Sequence, residues 1–326
     1  MDRGQSPFNH FDGERFIYPW RKRTSRGRFA FWRWKFSGQR AEWPEKLEPN
    51  RFDEPPERVD GQDLRLSYVG HATFLIQIGG LNILTDPFWS ERASPLRWAG
   101  PKRVVEPGIR FSDLPPIDTA LVSHNHYDHM DLPTLHHLHD QHGSRIVSPL
   151  GNAVLIGGKS RRIPVDELDW GQSLALSENV RVHCEPAQHW SRRRMKDRNR
   201  ALWCAYVIEG PAGRVYFAGD TGYGEGEHFR HSGQRFGGFR VALLPIGAYA
   251  PRWMMEFSHM NPEEAVLAHH DLQAETSIAM HHATIQLTDE PIHEPVERLT
   301  EARETHGLSS HDFRILGIGE VASFKS

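Results

Sequence analysis

The chain has 326 residues, of which 38% are hydrophobic and 25% charged, with a formal net charge of −3 at pH 7. That is a globular composition, and a charge so close to neutral gives no electrostatic reason to expect a nucleic-acid partner. No apolar run approaches the roughly 18 residues of a membrane helix, the start from Met1 to Pro7 lacks a signal-peptide core, and two cysteines, Cys184 and Cys204, make no disulfide framework. Both cysteines lie in apolar runs and read as reduced packing residues, so a cytoplasmic protein is expected, with peripheral membrane contact left open.

Residues 1–60 differ in texture from the rest. Positions 15–40 hold nine Lys/Arg, eight aromatics and no Asp or Glu, and positions 41–60 then turn acidic and proline-containing. This reads as an arm packing on a main domain of residues 61–326. Its rings, among them Trp20, Phe29, Phe31, Trp32, Trp34 and Phe36, suit packing into that domain. Beside so many cations they also suit an anionic membrane surface.

From residue 64 short strands predominate. Apolar or alternating runs predict strands at 64–69, 72–78 and 81–85, with Gly79-Gly80 as a turn, and another at 117–122. A helix is expected over 132–141, where Pro133 sits near the start and its missing N–H costs little. Further strands are expected at 145–147, 180–184, 202–208, 215–218, 241–245 and 276–280. Helices follow over 262–271, where Asn261 can cap and two acids fill the first turn, and over 294–306. Pattern alone gives a layered mixed α/β domain without repeats.

The most telling stretch is 121–131, which places His124, His126, Asp128 and His129 after the strand-like run 119–122. Neutral imidazole and carboxylate hold zinc and other borderline divalent ions. On an extended segment His124 and His126 can point the same way. Asp128 and His129 then fall on the next turn, within reach of a second ion.

This run resembles the HxHxDH motif of the metallo-β-lactamase superfamily. The stretches 70–73, 84–95, 100–103, 114–118, 186–190 and 259–265 resemble, within it, the N-acyl-phosphatidylethanolamine-hydrolysing phospholipase D group. The resemblance implies an αββα sandwich with two metals. One ion would be held by His124, His126 and His189, the other by Asp128, His129 and His281, with Asp220 bridging. The ions would be zinc, or zinc with iron or manganese, and Asp128, Asp220 and His259 would carry the catalysis. His281 is favoured over its neighbour His282. His71 and Asp86 lie in matching runs and are expected to hydrogen-bond metal ligands. His259 is the candidate for stabilising an oxyanion or serving the leaving group. Arg192, Arg193 and Arg194 follow His189 and could pair with an anionic headgroup. His136, His137, His139, His142, His269 and His270 read as solvated helix positions.

The expected function is therefore a dinuclear zinc phosphodiester hydrolase of phospholipase D type, releasing N-acylethanolamine and phosphatidate. A lactonase or sugar-phosphate ester hydrolase is the rival enzyme, and a metal-binding protein the rival outside catalysis. The expected partner is a phospholipid or small molecule, with no nucleic acid and a homodimer left open.

Overall fold

The computed structural model describes residues 8–20, 33, 34, 38, 40–158 and 163–325. Strand alternation builds two seven-stranded sheets that face each other. The first combines β1 (Leu64–Gly70), β2 (Thr73–Ile78), β3 (Leu81–Thr85), β4 (Thr119–Leu121), β5 (Arg145–Pro149) and β6 (Val165–Leu168), with β14 (Val321–Phe324) on the edge beside β1. The second runs from β7 (Ser173–Ala175) through β8 (Arg181–Glu185), β9 (Ala205–Gly210), β10 (Gly213–Phe217), β11 (Phe239–Pro245) and β12 (Ala274–Met280) to β13 (Phe313–Arg314).

β2 shows how one sequence serves two layers. Phe74, Ile76 and Ile78 join the core between the sheets, where they meet Val182, Val207 and Phe217. Leu75 points the other way, into a cluster with Leu135, Leu138 and Ile156, which lie on the outer helices α1 (Leu132–His142) and α2 (Ala153–Gly157). Each fully buried side chain of this kind contributes about 1.5–3 kcal/mol. The second sheet is covered by α3 (Glu227–Phe236), α5 (Pro262–Asp271) and α6 (Glu294–Thr305), while the short α4 (Arg252–Met255) precedes α5. The arrangement is the αββα sandwich. Among the described residues, no helix is long and apolar enough to cross a membrane.

The α5 start follows its sequence signals closely. Asn261 accepts from the Glu264 N–H and Glu264 reaches back to the Asn261 N–H, a reciprocal capping box. The strand expected over 202–208 begins only at Ala205. Leu202 and Cys204 instead donate to Leu150 and Ser123 carbonyls beside the first sheet, so this segment crosses between layers before it pairs. α2, α3, α4, β6, β7, β13 and β14 have no counterpart among the expected elements. His269 is buried and its Nδ1 meets Ser277 Oγ at 2.8 Å, so it is not the solvated position its helical spacing suggested.

The described part of the N-terminal region lies against this sandwich. Phe16 and Tyr18 are buried within the inter-sheet core cluster. Trp43 donates to the Glu290 carbonyl, and the Asp53 carboxylate accepts from Ser67 Oγ and Arg65. Most of the basic aromatic stretch, including Arg21, Lys22, Arg23, Arg26, Arg28, Phe29, Phe31, Trp32 and Phe36, lies outside the described residues.

His10 ties the start of this region down. Its Nε2 donates to Asp169 and its Nδ1 to the Phe8 carbonyl, both at 2.7 Å. Burial opposes the charge, but Asp169 and that carbonyl outweigh it and raise the imidazole pKa above its ordinary 6.5. A raised folded-state pKa stabilises below the unfolded value, and the benefit disappears as pH climbs through the folded one. The melting temperature of wild type should therefore exceed that of His10→Gln most below pH 6.5, with the gap shrinking at alkaline pH. A gap that widens with pH in paired thermal melts would refute the charged-imidazole assignment.

Candidate metal centre

Strand direction assembles the site. β1, β3 and β4 run parallel within the first sheet, and β8, β10 and β12 run parallel within the second. His71 follows β1, Asp86 follows β3 and the 124–129 motif follows β4. His189, Asp220 and His281 follow β8, β10 and β12. Each residue thus leaves the carboxyl end of a strand, and the two sheets bring these ends to one place.

Four overlapping groups of potential ligand atoms result, two of them, Asp86 with His124 and His129, and Asp220 with His259 and His281, being three-membered; the other two have four members each. His124, His126, His189 and Asp220 form one, and His71, Asp128, His129 and His281 the other, with the atoms of each group within 4.8 Å of one another. Asp220 lies between them. Its Oδ2 is 3.8 Å from His124 Nε2, 3.7 Å from His189 Nε2 and 3.2 Å from His129 Nε2, while its Oδ1 is 3.0 Å from His281 Nε2. The His129 and His281 Nε2 atoms are 3.2 Å apart, and His124 Nε2 is 2.8 Å from His126 Nδ1.

The outward faces of the rings set which nitrogens carry protons. Ser123 Oγ donates to Asp86 Oδ2 at 2.6 Å, so it can accept from His124 Nδ1 at 2.9 Å. His129 Nδ1 donates to Asp86 at 2.6 Å, and His189 Nδ1 to the Ser258 carbonyl at 2.9 Å. As neutral imidazoles, all three rings aim an unprotonated Nε2 inward. Three lone pairs thus converge on two buried carboxylates, and Asp220 Oδ1 has no hydrogen-bond donor. Electrostatics demands positive charge at this point, and the N/O donor set fits zinc, iron or manganese.

The titration behaviour shows the same demand for positive charge, here met by a proton on the His129 ring in place of an ion. Burial opposes a charge on His129, yet the carboxylates of Asp220, Asp128 and Asp86 outweigh it and hold its pKa well above the usual histidine value. Burial pushes the carboxyls of Asp128 and Asp220 up, and the surrounding imidazoles, His129 foremost, overcome it and hold both well below the usual range. His126 is pulled down to about 4 by burial.

Three of the seven non-glycine residues with positive φ among the described residues belong to this site. His71, Asp86 and His281 have φ of 58°, 33° and 60°. Non-glycine residues rarely occupy this region, and such strain persists where the surroundings over-determine it. Gly219, just before Asp220, has φ of 58°, and a Cβ there would lie 2.8 Å from the Ser123 Cβ. Glycine lets the β10 end pass close beneath the motif.

His71 and Asp86 both touch ring or carboxylate members of the groups, His71 through a 2.9 Å contact from Nε2 to Asp128 Oδ2. His71 thus stands inside the second group. His282 faces away, 6.1 Å from the Tyr68 ring. His259 is partly exposed, with Nδ1 3.9 Å from Asp220 Oδ2 and no hydrogen-bond partner for that nitrogen, and burial takes its pKa down to about 4. His136 bonds the Ile156 carbonyl and His137 stacks on Phe111, so these rings support α1.

Of the three arginines expected to meet a headgroup, Arg193 is engaged within the protein. Arg193 Nη1 donates to the carbonyls of Asn125, His126 and Met130, and its guanidinium lies 3.7 Å over the Tyr127 ring. It fastens the ligand loop and its charge is engaged with main-chain oxygens. Arg192 donates from Nε to the Arg194 carbonyl, and both Arg192 and Arg194 lie at the exposed tip. Ser123 and Ser258 carry the site and were not singled out, because a serine beside a ligand and a backbone carbonyl leave no pattern in sequence. Arg252 is a third such residue; it holds the His259 carbonyl and the Glu264 carboxylate.

The model for the beta-lactamase superfamily domain matches residues 81–282, which contain both ligand groups except His71. The chain belongs to the metallo-β-lactamase superfamily of metal-dependent hydrolases. It is similar to an uncharacterised Mycobacterium tuberculosis protein, 42% identical over 76% of the chain and 66% of that protein. It therefore spans just under two thirds of that relative's length. It is also similar to N-acyl-phosphatidylethanolamine-hydrolyzing phospholipase D 1 of Caenorhabditis elegans, 37% identical over 78% of the chain and 74% of the nematode protein. Among solved structures, isothiocyanate hydrolase from Delia radicum gut bacteria superposes with a TM-score of 0.64 at 22% identity, covering 80% of this chain and all of that one. That likeness concerns the metallo-β-lactamase fold alone.

Asp86 holds Ser123 and His129 together at the start of the motif. Asp86→Asn replaces a carboxylate oxygen with a donor that opposes Ser123 or His129. Metal content should fall, with affinity lowered about 10–100-fold, the usual effect of losing such a partner. Unchanged zinc affinity in a chelator competition would remove Asp86 from the metal centre.

Proposed function

We propose that the chain is a phosphodiester hydrolase of phospholipase D type that works with two divalent ions, zinc or zinc with iron or manganese. The observation that carries the reading is Asp220, one buried carboxylate within 3.8 Å of ring nitrogens from both ligand groups. The nematode relative, whose name specifies N-acyl-phosphatidylethanolamine as substrate, supports that substrate class.

Two bound ions would lower the pKa of a water and neutralise phosphoryl oxygens during in-line attack. His124, His126 and His189 would hold one, Asp128, His129 and His281 the other, and Asp220 would span both. Hydrolysis adds water oxygen to phosphorus and breaks the bond to the ethanolamine oxygen, which leaves needing a proton. His259 is placed to serve that oxygen or to bind the developing charge, because its Nδ1 has no partner and it stands at the open side of the cluster. Its low pKa keeps it neutral near pH 7, so it would give the developing charge a hydrogen bond, and the proton released by the attacking water would pass to the leaving oxygen.

Exposed side chains near the ligand loop suit a substrate held in a lipid surface: Met195, in the loop whose Arg193 holds the 125–130 carbonyls, is 86% exposed. The loop of Met195 also carries Arg192, Arg194, Lys196 and Arg198, which favour an anionic surface. The deciding experiment offers purified protein bis-p-nitrophenyl phosphate, a lactone, and N-acyl-phosphatidylethanolamine in anionic vesicles. Release of N-acylethanolamine, weakened by salt, is the expected result. Turnover of the lactone alone would defeat the phosphodiesterase reading.

Metal analysis should find about two ions per chain, given the seven side chains assigned as ligands. Asp220→Ala should lose metal and activity far more than thermal stability. One tightly held ion after replenishment would overturn the dinuclear assignment.

His259→Ala should retain both ions and lose roughly 10²-fold in kcat on the soluble diester. If it loses metal instead, His259 is a ligand and its role toward the substrate falls.

A further inference from the structure

The N-terminal segment reaches the metal centre along three separate routes, and all of them end on the few residues around His189. In the first, His10 stacks on Trp170 with ring centroids 4.7 Å apart. Trp170 Nε1 donates to the Trp203 carbonyl at 2.6 Å, and Trp203 Nε1 donates to the Ala187 carbonyl at 2.8 Å. The second passes through side chains buried in the core. Tyr18 Oη meets His228 Nδ1 at 2.8 Å, His228 Nε2 meets Thr221 Oγ1 at 3.0 Å, and the Gln188 N–H donates to that same Oγ1 at 2.9 Å.

The directions in this second chain agree with one another. Thr221 Oγ1 donates to the Gly222 carbonyl, so it accepts from His228 Nε2–H, which leaves His228 Nδ1 to accept from the tyrosine hydroxyl. Every proton has one place to go. Thr221 also directly follows Asp220, so the same hydroxyl fixes the chain beside two candidate ligands.

The third route uses Asn199. Phe16 and Asn199 exchange two hydrogen bonds, from Phe16 N–H to the Asn199 carbonyl at 2.8 Å and from Asn199 Nδ2 to the Phe16 carbonyl at 3.1 Å. Asn199 in turn donates its N–H to the Ser191 carbonyl at 2.8 Å and accepts the Ser191 N–H on Oδ1 at 3.3 Å. Ala187, Gln188 and Ser191 bracket His189 on both sides. His189 itself has one outward anchor, the Ser258 carbonyl.

We propose that segment 8–20 is a positioning element for His189: docked through His10, Phe16 and Tyr18, it fixes the loop that presents this imidazole to the first metal. The inference rests on the metal-centre reading above. A histidine ligand needs its ring held to within fractions of an ångström, and groups one layer out set both orientation and affinity. Here that layer is supplied by a stretch of chain more than 150 residues away in sequence. The contacts bear on His189 and Asp220, so the second group should feel the segment less than the first.

The test uses the full-length protein with cobalt(II) as the probe, read by chelator competition and by its visible spectrum, which reports ligand geometry. Tyr18→Phe keeps the ring and deletes one link. Asn199→Gly keeps the left-handed backbone, φ 57°, and deletes the side-chain links. Each should weaken binding of the first cobalt about 10-fold and alter its spectrum, and the pair should weaken it further. Glu14→Gln, which only weakens surface ion pairs with Arg200 and Arg15, should change neither. Variants that melt earlier yet bind cobalt with wild-type affinity and spectrum would overturn the proposal and leave the segment a stabilising role alone. If Asn199→Gly fails to fold, Tyr18→Phe decides by the same criteria. Wild type that binds no cobalt would defeat the metal-centre reading instead. Amide exchange over residues 187–191 then decides the present one: faster exchange in Tyr18→Phe supports it and unchanged exchange overturns it.

Discussion

A carboxylate with no exposed surface governs this structure. Asp86 uses every polar atom it has. Its N–H donates to the Leu121 carbonyl and its own carbonyl accepts from Thr73 Oγ1. Its carboxylate accepts from the Ser123 N–H, Ser123 Oγ and His129 Nδ1, each at 2.6 Å. Three strands of the first sheet are thereby tied at the point where the histidine motif begins. Burying such a charge costs several kcal/mol unless positive charge lies close by. Among the described residues no lysine or arginine is a partner of Asp86, so the compensation must come through His129 from whatever sits between that ring, Asp128 and Asp220. The demand for a cation is thus built into the packing of the first sheet, and the strained φ values at His71, Asp86 and His281 are held by the same network.

The sequence reveals the parts of this arrangement that depend on local pattern. The 124–129 motif, the strand ends before His189, Asp220 and His281, and the capped helix at Pro262 all carry short-range signals, and their residues meet in space. α3 carried no such signal. It starts after Gly226 without a side-chain cap, and its buried positions are His228, Phe229, Ser232 and Gly233, only one of them a large hydrophobe. Gly233 looks like a helix breaker, but it is needed because a Cβ there would lie 2.4 Å from the Asp271 carbonyl of the neighbouring helix. Arg193 misleads in the opposite direction. In a run of arginines after a ligand, its partners are main-chain carbonyls 63 to 68 residues away, and composition cannot separate that use from binding an anion.

Ligands come from both sheets, so the centre exists only when the sheets are packed face to face. The bonds that fix their relation cluster at the motif. Tyr206 Oη donates to the Val122 carbonyl at 3.1 Å and the Cys204 N–H donates to the Ser123 carbonyl at 3.0 Å. Both donors belong to the second layer and both acceptors immediately precede His124. The core between the sheets therefore sets ligand spacing as well as stability, and a cavity opened beneath Tyr206 would be felt as a shift of His124 against His189.

The groups that face outward have a different origin. Trp98, Met195 and Trp253 stand outside the strands, as does the exposed charge of Arg192 and Arg194. Their side chains make few of the contacts that fix ligand geometry, so they can change without moving a metal-facing atom. Strand ends must satisfy a tight electrostatic closure, while the rim need only match what approaches. That division is consistent with one sandwich being shared at 22% identity with an isothiocyanate hydrolase: the strand ends are held by the packing of the sheets, and the loops around them are not.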